Sequence, residues 1–383
     1  MRPRVEMMAV LAGSAMLMAG CAIGAGVTAQ RLHLHPAAAP ALAITGVGVE
    51  PKMLDLARAS TEPAVVVRYR LSRAASVSLD IVDAAGHVVR RMETAAQDAG
   101  PWQAAWNGRD ETGRVVPSGV YRYVLQARAS DGTQATHDLS AATGGEELEP
   151  RDFTFDRATG RLRWLMPRAG RARLRIGIEG FPHLRTLLDW EPMEAGEQQL
   201  TWDGLDASGL IRAIDHPNLM VKLSAYALPD NTIIVRGSSS DADAVASSPM
   251  PATYPSEHAA GRGYLHARHP REGCHEAKLA IQFHDGTRYD DQRRPRLSGM
   301  VPVRVTLEAR DASSLTNERF EVALYEDLQF LFEEEESLNP FTFLWDTTRL
   351  TPGAHLLTVN VLGYEDHYGV VTQPIVIEAP ATS

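Results

Sequence analysis

The residues best suited to chemistry are crowded into one short segment, His266-Ala267-Arg268-His269-Pro270-Arg271-Glu272-Gly273-Cys274-His275-Glu276. Imidazole and thiolate are ligands for zinc and copper, so His266, His269, Cys274 and His275 could supply three or four donors from one loop. With His258 and His284, five of the thirteen histidines fall in this neighbourhood. The spacing fits no zinc template, and the Cys-x-x-Cys-His of covalent haem attachment is missing, which leaves contact with haem iron through imidazole as a further form of the idea. Pro270 and Gly273 point to a turn, not to a helix carrying His266 and His269 on one face. The simpler reading, adopted here, is a solvated linker with incidental histidines and no cofactor. Metal at the linker is the alternative.

Other chemical candidates have plainer readings. Trp106, Trp202 and Trp345 could stack on a ligand, and Asp203 with Asp206, or Asn107 with Asp110, could offer oxygens to calcium. Each tryptophan recurs at one point of a repeated pattern, as a core residue would, and Asx side chains commonly cap their own turns. The run Glu333 to Glu336 reads as a solvated loop. No Gly-x-Ser-x-Gly, P-loop, Gly-x-Gly-x-x-Gly after a strand or His-Glu-x-x-His occurs, so no catalytic residue is nominated and the chain is read as non-enzymatic.

The elements that must position these residues are strands. Val65 to Leu71, Val77 to Val82 and Val88 to Met92 alternate apolar with polar residues, separated by turn signals such as Asp83-Ala84-Ala85-Gly86. Gly100, Trp106, Gly108 and Gly113 recur 96 residues on as Gly196, Trp202, Gly204 and Gly209, and Leu79 and Ile81 recur 95 residues on as Leu174 and Ile176. Four residues conserved in type at fixed spacing indicate a duplicated unit. Further on, Val303 to Glu308 and Phe320 to Tyr325 alternate, and Phe341 to Thr348 leads through Pro352-Gly353 into His355 to Val361.

The strand pair from Val77 to Arg90, the turn Trp106-Asn107-Gly108-Arg109-Asp110-Glu111-Thr112-Gly113 and the entry Pro117-Ser118-Gly119-Val120-Tyr121 resemble the immunoglobulin-like domain of FlgD, the flagellar hook-capping protein. The second copy keeps Trp202-Asp203-Gly204 and Gly209 but has Pro217-Asn218-Leu219-Met220 at the strand entry, and nothing matches the hook-capping region. Trp345-Asp346-Thr347-Thr348 with Pro352-Gly353 resembles other bacterial Ig-like domains. The implied fold is all-β, three tandem Ig-like antiparallel β-sandwiches with an irregular linker before the third. The expected division is 43–145, 146–240 and 298–383 for the sandwiches and 241–297 for the linker.

The N-terminus reads as an export signal. Arg2 and Arg4 precede an apolar run from Met7 to Met18, the length of a signal-peptide core. Leu17-Met18-Ala19-Gly20-Cys21 resembles the bacterial lipobox, which implies a signal peptide over 1–20, lipid on Cys21 and a tether over 21–42. Ala22 and Ile23 in place of an inner-membrane retention signal imply outer-membrane sorting. Cleavage after Ala29 to release a secreted protein, or an uncleaved anchor reaching Val27, are the alternatives. A formal net charge of −10 without a dense basic stretch disfavours nucleic acid.

The function expected is that of a lipid-anchored, non-catalytic envelope scaffold or binding protein. It would contact an envelope or surface protein through exposed strand edges or inter-strand loops. The alternatives are a metal-binding or electron-transfer accessory protein using the linker, and a polysaccharide-binding accessory module.

Overall fold

The computed structural model describes residues 41–57, 64–140, 142–180, 182–238, 276–308, 320–363 and 368–379. No α-helix occurs among them, and no helix is long and apolar enough to cross a membrane. The first sandwich begins with β1 (Ile44–Glu50), β2 (Met53–Asp55), β3 (Val65–Leu71), β4 (Ala75–Val82), β5 (Val88–Gln97), β6 (Gly100–Trp106), β7 (Gly119–Arg128) and β8 (Gln134–His137). In β3 Val65, Val67, Tyr69 and Leu71 point inward and Arg68 and Arg70 outward, the alternation of a strand with one wet face. One sheet pairs β1, β3 and β6, and β7, β4 and β5 lie side by side in the facing one. Leu42 already belongs to this core, and the Ser72 hydroxyl donates to the Ala41 carbonyl at 2.7 Å, so the sandwich takes hold of the chain at the end of the expected tether.

The second sandwich comprises β9 (Glu147–Leu148), β10 (Arg151–Asp156), β11 (Arg161–Met166), β12 (Gly170–Ile178), β13 (His183–Met193), β14 (Gly196–Thr201) and β15 (Leu219–Ala227). Its sheets run β10-β11-β14 and β13-β12-β15-β9. The chain then goes back. β16 (Thr232–Arg236) pairs antiparallel with Gly119–Arg122 of β7 and parallel with β2, while β8 takes Leu125–Arg128 of the same β7 edge. Ile233 and Val235 enter the first core fully buried, each adding about 1.5–3 kcal/mol of apolar burial. The expected unit 146–240 therefore ends early in space: its last strand completes the first sandwich, and the second is inserted into the first rather than following it in tandem.

The third sandwich comprises β17 (Leu279–Gln282), β18 (Arg288–Tyr289), β19 (Pro295–Leu297), β20 (Met300–Leu307), β21 (Phe320–Glu326), β22 (Gln329–Glu334), β23 (Phe341–Asp346), β24 (Gly353–Gly363) and β25 (Tyr368–Ile377). Its sheets run β17-β20-β23 and β18-β19-β25-β24-β21-β22. Three of these strands, β17 to β19, fall inside the expected linker 241–297. Ala277, Leu297, Val301 and Val303 share one buried core, so the third sandwich starts about twenty residues earlier than 298.

Candidate functional site

The repeated turns show how each sandwich is pinned. Trp106 is 1% exposed and donates from Nε1 to the Arg109 carbonyl; Trp202 is 3% exposed and donates to the Leu205 carbonyl, both at 2.9 Å. Trp345 is 1% exposed in the third core. Gly108 and Gly204 have φ of +75° and +85°, and a Cβ there would meet Leu54 at 2.8 Å or Ile214 at 2.7 Å. Both conformation and space therefore demand glycine. Gly113 and Gly209, also left-handed, donate their N–H groups to the carbonyls of Asp110 and Asp206. The Asp110 carboxylate accepts the N–H groups of Thr112 and Arg114 at 2.8 and 2.9 Å, and that of Asp206 accepts Ile211 N–H at 2.9 Å and the Ser208 hydroxyl at 2.6 Å. These oxygens serve their own turns.

The sandwiches differ most at one place, the strand beside β7 and its counterparts. In the third, β25 pairs along β24 from Gly353 to Leu362. In the first, two half-strands share the job. The splice is held by Asn231, fully buried, whose Nδ2 donates to the Tyr123 carbonyl at 2.9 Å and to Asp138 Oδ1 at 3.0 Å, while its backbone carbonyl accepts Tyr123 N–H. In the second, the chain has left to form β16, and only Leu148 and Glu147 of β9 pair with Ala225 and Tyr226. Among the described residues no strand pairs with Leu219–Ser224 on that side. Leu219, Val221 and Leu223 pack half-buried against the core; Met220, 43% exposed, and Lys222 face outward.

Two joints flank this open edge, one partly exposed and one buried. Toward the first sandwich, the chain entering the insert pairs with the chain leaving it, through Gly145 N–H to Ala227 O and Ala227 N–H to Glu146 O, both 2.8 Å. Arg168 reaches Asp230 at 2.9 Å and Glu146 at 3.5 Å. Toward the third, Asn360, 1% exposed, accepts His183 N–H at 2.8 Å and donates to His183 O at 2.9 Å. The guanidinium of Arg175 lies 3.6 Å above the Tyr368 ring, and that of Arg173 lies 5.1 Å from the same ring and 4.3 Å from Trp190. Removed from water, such cation–π contacts strengthen. Leu328, at the β21–β22 turn, packs against the core of the second sandwich.

The expected metal donors His266, His269, Cys274 and His275, like Cys21, lie outside the described residues. His284, the linker histidine that is described, accepts Gly286 N–H in a turn. The structure brings together donors the sequence did not nominate, Glu326, Asp327 and His355. An acidic pair in a hairpin turn and a histidine 28 residues on carry no recognisable spacing; only the pairing of β21 with β24 joins them.

Residues 56–131 match the family model of the FlgD Ig-like domain. No curated protein matches the chain. Similar solved structures include FlgD from P. aeruginosa, at 23% identity over 24% of this chain and 66% of that one, with a TM-score of 0.20. Others are the fibronectin(III)-like modules of Clostridium thermocellum CbhA, at 7% identity over 88% and 96% and a TM-score of 0.20, and a 1.5-MDa bacterial ice-binding adhesin, at 11% over 89% and 99% and 0.19. The family match takes in β3 to β7 with the Trp106 turn and stops before β8 and the returning β16. Within the first sandwich, residues 56–131 are thus a segment of FlgD Ig-like type.

Proposed function

We propose that this protein is a lipid-anchored, non-catalytic scaffold of the bacterial envelope that holds a partner protein by strand addition at the open edge of its second sandwich. One observation carries the reading: Leu219–Ser224 pairs on one side only, whereas the equivalent strands of the first and third sandwiches are paired on both. An unpaired row of backbone N–H and C=O groups is a template for an extended segment. The occupant is an extended stretch of an envelope protein with apolar residues at alternate positions. These would cover the half-buried Leu219, Val221 and Leu223, and an acidic residue would lie opposite Lys222. Joints on either side would hold the edge in place, which lowers the ordering cost of capture. The Cys21 lipid would keep the scaffold at the outer membrane.

Site-specific photo-crosslinking from Met220 in the source cells tests this, with Cys21→Ser fractionated in parallel. A discrete adduct with another envelope protein, and release of the variant from membranes, are expected. Adducts only within this chain, for example to 239–275, would overturn the partner assignment. Membrane retention of the variant would overturn the lipid anchor.

A further inference from the structure

The β21–β22 hairpin turns through two residues, Asp327 and Leu328, both left-handed at φ +43° and +68°. Aspartate tolerates this conformation but leucine seldom adopts it, so the turn is held from outside at Leu328. On one side Leu328 packs against the second sandwich. On the other, Asp327 is clamped to β24: its N–H donates to Leu356 O at 2.9 Å and its Oδ1 accepts Leu356 N–H at 2.8 Å. This leaves Asp327 Oδ2 free to face His355 Nδ1 at 2.7 Å, and Glu326 Oε1 approaches the same nitrogen at 2.7 Å. The other ring nitrogen lies 2.8 Å from the Thr351 carbonyl. A carbonyl can only accept, so Nε2 carries a proton and the ring is oriented.

Nδ1 then stands against two carboxylate oxygens, and something positive must lie between them. A proton on Nδ1 can be donated along one direction and leaves the cluster one charge negative. A divalent ion satisfies all three donors at once and leaves it neutral. The imidazole, whose side chain is 9% exposed, has the outer-sphere partner that zinc-bound histidines ordinarily have, a carbonyl accepting from the second ring nitrogen. Asp327, at 47%, gives an ion a route from solvent. We propose that Glu326, Asp327 and His355 bind a zinc-class divalent cation through Oε1, Oδ2 and Nδ1, with solvent at the fourth position. Bonds of about 2 Å in a tetrahedral arrangement need donors about 3.3 Å apart, so the oxygens move outward by about half an ångström. The ion fastens the turn that carries Leu328 into the second sandwich.

The test uses the full mature chain, purified without a metal column and stripped with chelator, in a background where His266, His269, Cys274 and His275 are alanine. Zinc is titrated by calorimetry, and the His355 ring nitrogens are followed by NMR. One equivalent bound, with a large shift of Nδ1 and a 10- to 100-fold weaker affinity in Glu326→Gln or Asp327→Asn, is expected. Absence of zinc uptake in this background, or uptake that leaves the His355 nitrogens unmoved, would overturn the site even if a variant failed to fold; the occupant of Nδ1 would then be a proton.

Discussion

The first and third sandwiches solve the same problem with different pieces of chain. Each has a short strand, β2 or β19, running parallel to the strand that closes its larger sheet. In the third that closing strand is β25, ten residues without a break. In the first it is β8 and β16, separated in sequence by a whole sandwich. Sheet pairing needs backbone groups at the right spacing, not chain continuity. A strand can therefore be interrupted wherever its two halves are held in line, and Asn231 does this by bonding to both Tyr123 and Asp138. The second sandwich inherits the consequence, because the strand it would have used to cover β15 was spent on closing the first.

The comparison can be broken most forcefully at the tryptophans. Trp106→Ala and Trp345→Ala should each destabilise their own sandwich by about 3–5 kcal/mol, read as lost amide protection confined to that sandwich. Trp106→Phe should be the more damaging of the two phenylalanine variants, since Trp345 Nε1 has no partner to lose among the described residues. Next come Ile233 of β16 and Ile375 of β25, both fully buried. Alanine at either should cost about 2–5 kcal/mol. Only Ile233→Ala should deprotect the N-terminal half of β7 while leaving the half covered by β8; equal loss along β7 would mean the split strand behaves as one. Asn231→Ala should cost about 1–3 kcal/mol by orphaning the buried Tyr123 carbonyl, measured by chemical denaturation followed at first-sandwich probes. A neutral result would remove the splice from the account.

Acid should separate two strand pairs, β4–β5 and β21–β22, by sign. In the first, hydrogen bonds from Arg91 outweigh burial and hold the Asp80 carboxyl below the usual carboxylate value. Its contribution is present above that ordinary value and is lost as pH falls through the depressed one. In the third, burial and then the neighbouring Glu333 push Glu321 above the ordinary 4.5. Its contribution is complete below 4.5 and is lost as pH rises through the raised value. Lowering pH from neutral should first tighten the β21–β22 edge and, further down, weaken β4–β5. Exchange measured at stepped pH, with Glu321→Gln and Asp80→Asn as controls, should abolish each effect in turn. This is the smallest of the expected changes.

The parts legible in the sequence were those governed by near neighbours. Alternation exposed β3, β4, β21 and β24, and the Trp-Gly-Gly spacing exposed the pinned turns, because a left-handed glycine and an indole reaching a carbonyl three residues on are local arrangements. β16 escaped. Thr232 to Val235 are all buried, so they show no alternation and nothing to say which core they enter. β17 to β19, at four, two and three residues, are too short to display a period. The open edge of β15 was unreadable for the same reason: a strand lacks a neighbour only by virtue of where another segment has gone.

What the sequence determined by itself was the class of fold and the chemistry of its turns, since both follow from side-chain period and backbone freedom within a few residues. Only the tertiary structure decided which sandwich each strand closes, which edge stays open and which donors meet at His355. Those outcomes depend on pairing between segments far apart in the chain, and a buried apolar strand fits any sheet whose edge reaches it first.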